Sequence, residues 1–243
     1  MVIRDLDCVI PARSITALIG PNGCGKSTLL RALAGMLPPK AGDIFLEGEP
    51  VAKRPLKDLA RRISVLAQSA VAPEGLTVID LVRQGRYPHR TLFGRWSLQD
   101  DTACETALDL TGMTELRERR VEQLSGGQRQ RAWIAMTLAQ ETDILLLDEP
   151  TTYLDLAHQI EVMELMKRLV QERGKTVVTV LHDLNQAARY ADRVIMMTHG
   201  RIHAEGAAGE VVTADTIEAV FNVRSKVVPD PVTGTPMCIP IPG

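Results

Sequence analysis

The sequence has few aromatic residues and few cysteines. Aromatic residues make up 3% of its 243 positions, and none of them lies among the 19 residues before Gly20. The four cysteines are scattered along the chain with no C-x-x-C pair, at Cys8, Cys24, Cys104 and Cys238. This spacing excludes a disulfide framework and a typical zinc site, and it predicts reduced thiols in a cytosolic protein.

Long apolar runs and an excess of one charge are also absent. No stretch approaches the roughly 18–20 apolar residues of a membrane-spanning helix, so we expect any link to a membrane to come through a partner. The first residues show no signal-peptide pattern. The 28 basic and 30 acidic residues give a net charge of −2, which predicts no footprint for nucleic acid. The chain is long enough for one large α/β domain or two small lobes.

The strongest motif is a glycine-rich stretch of the form G-x-x-x-x-G-K-[ST]. It consists of Gly20, Pro21, Asn22, Gly23, Cys24, Gly25, Lys26, Ser27 and Thr28. A predicted strand precedes it and a predicted helix follows it, so phosphates would face a helix N-terminus. The glycines allow close approach of backbone N–H groups, Lys26 can reach the β- and γ-phosphates, and Ser27 can bind Mg²⁺. The stretch predicts a P-loop that binds ATP with Mg²⁺.

Four predicted buried strands each end at a glycine or a polar residue. They are Ile15–Ile19, Ile63–Ala67, Ile144–Leu147 and Thr176–Leu181, and they are followed by Gly20, Gln68, Asp148 and His182. Ligands of an open parallel sheet bind at the carboxyl ends of its strands. We therefore expect these four positions to converge on one nucleotide.

The segment from residue 69 to residue 140 has little β signal and several amphipathic helical stretches, such as Val78–Arg83 and Gln99–Thr111. We read it as a helical lobe inserted into an α/β core. The predicted core consists of residues 1–68 and 141–243, and the predicted lobe of residues 69–140.

An antiparallel β portion is predicted near the N-terminus. Val2–Pro11 alternates apolar and polar residues, as an edge strand would, with Ile3, Leu6 and Val9 as candidates for its inner face. Ile44–Glu49 looks like a hairpin arm with a glycine turn. At the other end of the chain, the proline-rich tail from Val227 is expected to be extended.

Two carboxylates end the third of these strands. Asp148 can hold Mg²⁺, directly or through water, opposite Ser27, and Glu149 is placed to activate the attacking water. An acidic pair at a strand end can also be solvated or cap a helix. The presence of a P-loop in the same chain favours the catalytic interpretation.

A second glycine pair lies in the stretch Leu124-Ser125-Gly126-Gly127-Gln128. A helix predicted from Gln128 to Gln140 would point its N-terminus at whatever lies beside the glycines, which predicts a second phosphate site. Ser125 is also a typical helix N-cap, and it can serve as cap and ligand at once.

These motifs, in this order and spacing, resemble the ABC transporter ATPases over nearly all of the chain. The resemblance rests on the P-loop, Gln68, the LSGGQ stretch, the segment from Ile144 to Pro150, the Thr152-Tyr153-Leu154-Asp155 stretch and His182. It implies an α/β fold with a P-loop NTPase (RecA-like) core. It also implies that two copies sit head to tail, with each ATP between the P-loop of one copy and the LSGGQ stretch of the other.

The same resemblance implies roles for single residues. Ser125, Gly126, Gly127 and Gln128 would contact the γ-phosphate of the partner's ATP. Gln68 would sense the metal and the attacking water and link to the transmembrane subunits. Asp155 would communicate across the dimer, and His182 would contact the γ-phosphate and hold Glu149 in position. On sequence alone His182 could be a core histidine at a strand end, but its place before Asp183 favours the functional role.

A narrower resemblance points to the ferric siderophore importer ATPases, including the ferric enterobactin type. It rests on Pro73–Val78, Gly85–His89, Phe93–Trp96 and the tail around Val228–Pro236. It implies an ATP-hydrolysing subunit at the cytoplasmic face of the inner membrane. The implied partners are permease subunits and, indirectly, a periplasmic or lipoprotein substrate-binding protein, with no nucleic acid. These segments could also be surface loops with no bearing on the substrate.

Three rival functions remain open. The ATPase of a haem or cobalamin importer would share every catalytic residue. A soluble ABC ATPase acting on nucleic acid or ribosomes usually needs a long coiled-coil insertion or two tandem cassettes, and this sequence has neither. A P-loop small-molecule kinase would not need the LSGGQ stretch. The sequence departs from the family because no aromatic residue precedes Gly20 to stack on adenine. Either the start of the chain is truncated or misplaced, or adenine lacks this stack, and we expect weaker nucleotide affinity.

Overall fold

The computed structural model describes residues 2–68, 72–90, 95–152 and 154–242. The strands of these ranges are β1 (Ile15–Ile19), β2 (Phe45–Leu46), β3 (Glu49–Pro50), β4 (Ile63–Leu66), β5 (Ile144–Asp148), β6 (Thr176–Val180), β7 (Arg193–Thr198), β8 (Arg201–Gly206), β9 (Ser225–Pro229) and β10 (Pro236–Pro240). The α-helices are α1 (Lys26–Leu33), α2 (Leu56–Leu59), α3 (Val78–Gln84), α4 (Leu98–Leu110), α5 (Gly126–Ala139), α6 (Leu156–Arg173), α7 (Leu184–Tyr190), α8 (Ala208–Val211) and α9 (Ala214–Phe221).

The chain separates into two compact units. One contains Met1–Leu37 and Met166–Gly243, and the other contains Pro38–Leu165. The predicted division into a core of residues 1–68 and 141–243 and a lobe of residues 69–140 follows different boundaries and stays a prediction.

The first unit is built on four neighbouring strands in the order β6, β1, β7 and β8. The first three are parallel, and β8 pairs antiparallel with β7. All five residues of β1 are buried, as expected of a central strand covered on both faces. β7 and β8 form a hairpin that turns at His199 and Gly200.

The predicted edge strand over Val2–Pro11 is wrong. The segment contains no β-ladder; Arg4 reaches Gly200 through one backbone hydrogen bond of 2.9 Å, and Asp5 forms an ion pair with Arg201. Val9, expected on the inner face, is 74% exposed. The alternation of residue types does not make a strand here, because a strand also needs a partner for its backbone groups.

The second unit contains the parallel pair β4–β5 and the small hairpin β2–β3, which confirms the hairpin predicted over Ile44–Glu49. Its helices α3, α4 and α5 pack around a separate apolar core. The core includes Leu81, Leu108, Met113 and Ala135, each with 0% exposure. The helices predicted between residues 69 and 140 are therefore present within the part of the chain that the structure describes.

The end of the chain forms an antiparallel hairpin of β9 and β10, in which Cys238 lies opposite Val227. The prediction of an extended tail is confirmed. The composition of the tail did not indicate that β9 and β10 would pair with each other. All four cysteines are free. Among the described residues, no helix combines the length and the apolar character needed to cross a membrane.

Candidate functional site

The P-loop follows β1 directly and turns at three glycines with positive φ. The φ angles are 156° at Gly20, 77° at Gly23 and 111° at Gly25. A Cβ atom at Gly20 would lie 2.1 Å from the carbonyl oxygen of Met197, so a side chain does not fit where the loop leaves the sheet. Gly25 is the N-cap of α1 and offers no side chain to cap it, and the first turn has no acidic residue. This helix end suits an anion, because its partial positive charge is not met by a carboxylate of its own.

The other P-loop residues divide into an exposed tip and a buried base. Asn22 is exposed and Pro21 half-buried, whereas Cys24 and Lys26 are buried; Ser27 and Thr28 are half-buried in the first turn of α1. The Lys26 Nζ donates to the carbonyl oxygens of Gly20 at 2.7 Å and Pro21 at 3.1 Å. The ammonium is thus held inside the loop by neutral acceptors. Phosphate oxygens are stronger acceptors because they carry charge, so a bound phosphate would compete well for this lysine.

His182 lies at the same sheet edge as the P-loop. Leu18 of β1 is opposite Val180 of β6 in a parallel pair, and Gly20 and His182 each follow that pair by two residues. His182 is exposed. The next residue, Asp183, caps α7: its carboxylate accepts from the Asn185 N–H at 2.7 Å and the Gln186 N–H at 3.1 Å. The first unit therefore brings a histidine to the carboxyl edge from which the P-loop emerges.

Gln68, Asp148 and Glu149 lie together at the carboxyl ends of β4 and β5. Leu66 of β4 is opposite Leu147 of β5, and Gln68 and Glu149 each follow that pair by two residues. Asp148 ends β5 and is 6% exposed, whereas Gln68 is exposed. These strand ends belong to the second unit, and the P-loop belongs to the first. The convergence of all four strand ends on one nucleotide stays a prediction.

Glu149 occupies a strained backbone position with a fixed side chain. Its φ of 54° is in the left-handed region. Non-glycine residues rarely adopt this region, and those that do are concentrated at functional sites. The Thr152 hydroxyl donates to Glu149 Oε2 at 3.0 Å, and the Thr152 N–H donates to the Glu149 carbonyl at 3.2 Å. Sequence reasoning assigned no role to Thr152. The available signal was its spacing, since a residue three positions after a turn carboxylate can bond back to it.

The LSGGQ stretch forms the start of α5 through a capping box. Ser125 Oγ accepts from the Gln128 N–H, and Gln128 Oε1 accepts from the Ser125 N–H, both at 3.2 Å. The helix begins at Gly126, two residues before the predicted start, because the box holds both glycines in helical conformation. Ser125 and Gly126 are exposed, and the first turn has no acidic residue. This end of α5 is therefore open to a phosphate from outside the chain.

Gly127 lies beside the segment that carries Asp155. An added Cβ at Gly127 would meet Leu154 Cδ2 at 3.5 Å and His158 Cγ at 3.7 Å, which are ordinary contacts. Asp155 Oδ1 accepts from the His158 N–H at 3.0 Å and lies 2.7 Å from His158 Nδ1. These hydrogen bonds from His158 lower the pKa of Asp155. His158 is a member of this cluster that the sequence did not reveal, and Tyr153 lies outside the described residues.

Known proteins place the chain in a family. The family model described as "ABC transporter" matches residues 3–152. The ferric enterobactin transport ATP-binding protein FepC of Escherichia coli (strain K12) is 52% identical over 240 residues, covering 99% of this chain and 89% of that protein. The petrobactin import ATP-binding protein FpuD of Bacillus anthracis is also 52% identical over 240 residues, with 99% and 88% covered.

A solved structure agrees with the fold. The dimeric structure of a post-hydrolysis state of an ATP-binding cassette, bound to ADP and Pi, superposes with a TM-score of 0.75 at 28% identity. The match covers 85% of this chain and 90% of that one. Together with the P-loop, the LSGGQ helix and the strand-end carboxylates, these relationships show that the chain belongs to the ABC transporter family, as an ATP-binding and ATP-hydrolysing subunit with a P-loop NTPase fold.

Proposed function

We propose that this subunit powers the import of a ferric siderophore through a membrane ABC transporter. The observation that carries the proposal is the extent of the likeness: 52% identity to FepC runs over 99% of the chain. It therefore includes the C-terminal hairpin and the loops of the helical segment as well as the nucleotide motifs. The ATPase need not touch the iron chelate, so the choice of permease would carry the specificity.

The catalytic step is attack of water on the γ-phosphate of ATP. Glu149 accepts a proton from the water, and Thr152 holds the carboxylate that does so. Lys26 Nζ gives up its hydrogen bonds to the loop carbonyls and donates to phosphate oxygens instead. His182 contacts the γ-phosphate from the neighbouring strand end. Gln68 contacts the water and passes the state of the site to the permease. Positioning and charge stabilisation supply most of the rate enhancement in such reactions.

A magnesium ion fits the donors that the chain offers. Among the described residues, no group of three or more His, Cys, Asp or Glu side chains could hold a metal ion by itself. The Ser27 hydroxyl, the Gln68 amide and the Asp148 carboxylate are hard oxygen donors. Mg²⁺ prefers oxygen donors of this kind together with phosphate oxygens and water, so these residues would hold it beside a bound nucleotide. When bound, the ion would neutralise charge on the β- and γ-phosphates.

A second copy of the chain completes the site. Ser125, Gly126, Gly127 and Gln128 present an uncompensated helix N-terminus at an exposed position, which supports contact with a phosphate held by another chain. Gly127 would tolerate a Cβ within its own chain, so the glycine suits a close approach from outside. Asp155 lies in the adjacent segment and would meet the partner as well.

The expected location is peripheral, at the cytoplasmic face of the inner membrane. There the subunit would bind permease subunits directly and a periplasmic or lipoprotein substrate-binding protein indirectly. We propose no nucleic-acid partner.

Uptake of labelled chelates by cells lacking this chain tests the proposal. A ferric catecholate, a ferric hydroxamate, haem and cobalamin should be compared, with the wild-type chain, Glu149→Gln or Glu164→Gln restored. Glu164 is an exposed residue of α6 and serves as the matched control. We expect one ferric siderophore to be lost, and to be recovered with the wild type and Glu164→Gln only. Loss confined to haem or cobalamin, or loss of none of the four, would contradict the siderophore assignment.

A further inference from the structure

The C-terminal hairpin is attached to α7 at both ends of that helix. Near the first turn, the Asn185 side chain forms a two-bond pair with the backbone of Cys238: Asn185 Nδ2 donates to the Cys238 carbonyl at 3.2 Å, and Asn185 Oδ1 accepts from the Cys238 N–H at 2.7 Å. In the last turn, Arg189 Nε and Nη2 donate to Asp230 Oδ2 at 3.2 and 2.5 Å. The hairpin therefore spans the length of the helix.

Asp230 also builds the turn of the hairpin itself. Its Oδ1 accepts from the Val232 N–H at 2.8 Å and the Thr233 N–H at 3.3 Å, and the residue is 6% exposed. One buried carboxylate thus joins the turn between β9 and β10 to the end of α7. The attachment is not a loose surface contact, because each partner satisfies polar groups of the other.

Besides the hairpin, the helix packs against β1 and α8, but its own buried side chains are small. It has seven residues, and its buried residues are Ala187 and Ala188. Short helices are marginal without tertiary contacts, and two alanine side chains bury little apolar surface. The hydrogen bonds and the ion pair to the hairpin are therefore a large part of what fixes α7.

Asn185 also connects the hairpin to the loop that precedes α7. Its backbone N–H donates to Asp183 Oδ1 at 2.7 Å, while its side chain holds β10. Asp183 directly follows His182. A shift of Asn185 would displace Asp183, whose carboxylate is hydrogen-bonded to it, and with Asp183 the adjacent His182 at the sheet edge.

We infer that Asn185 is a positioning residue for ATP hydrolysis: together with the β9–β10 hairpin, it fixes the place of His182 at the carboxyl edge of the sheet. This inference rests on the proposed contact of His182 with the γ-phosphate. The hairpin acts on the chemical step and not on nucleotide capture, because the P-loop is carried by β1 and α1, whereas the hairpin hydrogen-bonds to α7.

Steady-state ATP hydrolysis by the full-length chain tests the inference, both in the wild-type background and in the His182→Ala background. Asn185→Ala removes both bonds to Cys238. Asp230→Asn keeps an oxygen for the turn but loses the charge that pairs with Arg189. Lys226→Gln, an exposed position on β9 of the same hairpin, is the control. Each variant is made alone and combined with His182→Ala.

We expect Asn185→Ala and Asp230→Asn to lower kcat about 10-fold, since small misplacements of reacting groups cost one to two orders of magnitude, while KM for ATP changes less than about two-fold. In the His182→Ala background the same changes should have no further effect. Lys226→Gln should match the wild type in both backgrounds. Retention of ellipticity and of ATP binding separates the kinetic effect from unfolding, and Asp230→Asn decides the question if Asn185→Ala does not fold.

Two results would overturn the inference while leaving the proposed function intact. One is an unchanged kcat in both hairpin variants when His182→Ala is impaired. The other is an equal fold loss with and without His182, which would mean that the hairpin acts through another group. An unimpaired His182→Ala would instead remove the histidine from the proposed mechanism, and the inference with it.

Discussion

Arg86 Nε donates to Asp100 Oδ1 at 2.9 Å inside the second unit, and the Arg86 side chain is 2% exposed. The same guanidinium donates to the Ala139 carbonyl at 2.8 Å and to Glu141 Oε2 at 2.7 Å. Asp100 also closes the capping box at the start of α4. One arginine therefore joins the start of α4 to the end of α5. Burial opposes ionisation of Asp100, but hydrogen bonds from Ser97 and Arg86 outweigh it, and its pKa is lowered.

Arg86→Ala should destabilise the protein strongly. Removing one member of a buried ion pair leaves the other charge without its partner, which typically costs about 3–5 kcal/mol. Urea unfolding measures the change in the free energy of unfolding. Arg117→Ala is the matched control, because Arg117 pairs with Glu105 at 2.8 Å but is about one third exposed, and such pairs contribute about 1 kcal/mol or less. Equal losses in the two variants would contradict the structural role assigned to Arg86.

The pair of Arg189 and Asp230 should make stability depend on pH in acid. The hydrogen bonds from Arg189 lower the pKa of Asp230 to about 2, below its ordinary value of 3.8. A lowered folded-state pKa adds stability that is complete above the unfolded pKa and disappears as pH falls through the folded pKa. The difference in Tm between the wild type and Asp230→Asn should therefore be constant above about pH 5 and shrink between about pH 4 and 2. A difference that is the same at pH 7 and pH 2.5 would contradict this assignment.

Two glycines of the P-loop should respond differently to alanine. At Gly20 the added Cβ meets the Met197 carbonyl at 2.1 Å, whereas at Gly23 nothing lies within 4 Å and only the positive φ is unfavourable. We expect Gly23→Ala to lower the free energy of unfolding by about 1–2 kcal/mol. Gly20→Ala should cost clearly more, since β7 must move to accept it. Thermal and urea unfolding of the two variants give the ranking, and a reversed order would count against the packing described for Gly20.

Lys26→Ala should impair ATP binding itself. The lysine supplies the positive charge of the loop and sits 6% exposed among loop carbonyls, so alanine removes both the charge and the organising contacts. Fluorescence titration with a labelled ATP analogue measures Kd. Lys53→Ala, at an exposed lysine outside the loop, should bind as the wild type does. An affinity unchanged by Lys26→Ala would refute the P-loop assignment.

Glu149→Gln should separate binding from hydrolysis. Loss of a general base typically slows the reaction by about 10²–10⁴-fold, while the P-loop still holds ATP. Thr152→Val removes one hydrogen bond to the carboxylate and should slow hydrolysis by less, about 5-fold, since such a bond contributes about 1 kcal/mol. Phosphate release and ATP affinity are measured for both. Hydrolysis by Glu149→Gln within a few-fold of the wild type would exclude it as the base.

Local signals were enough to predict most of the elements that carry the nucleotide motifs. The strand predicted over Ile15–Ile19 is β1, and the strand predicted over Ile144–Leu147 lies within β5. Both are apolar runs that extend over the predicted element, unbroken in Ile144–Leu147 and interrupted only by Thr16 in β1. The start of α5 was missed by two residues, because glycine is a weak helix former and only the Ser125–Gln128 box holds it.

Contacts between distant residues were not predictable in the same way. Arg86 stands in a stretch that looks like a surface loop, yet its partners at Ala139 and Glu141 lie more than 50 positions away. Val2–Pro11 has the alternation of a strand but finds no ladder. In both cases the outcome depends on which backbone and side-chain groups the fold brings near, and residue type carries no information about that.

The sequence by itself determined which chemical groups this protein offers: the P-loop, the LSGGQ stretch and the strand-end residues are the groups that we expect to bind and cleave a nucleoside triphosphate. Those motifs are short and local, so they can be recognised without the tertiary structure. Only the tertiary structure decided how the chemical groups are held. The Thr152 bond to Glu149, the buried Arg86 and the hairpin attached through Asn185 all join residues by hydrogen bonds whose geometry exists only after the chain has folded.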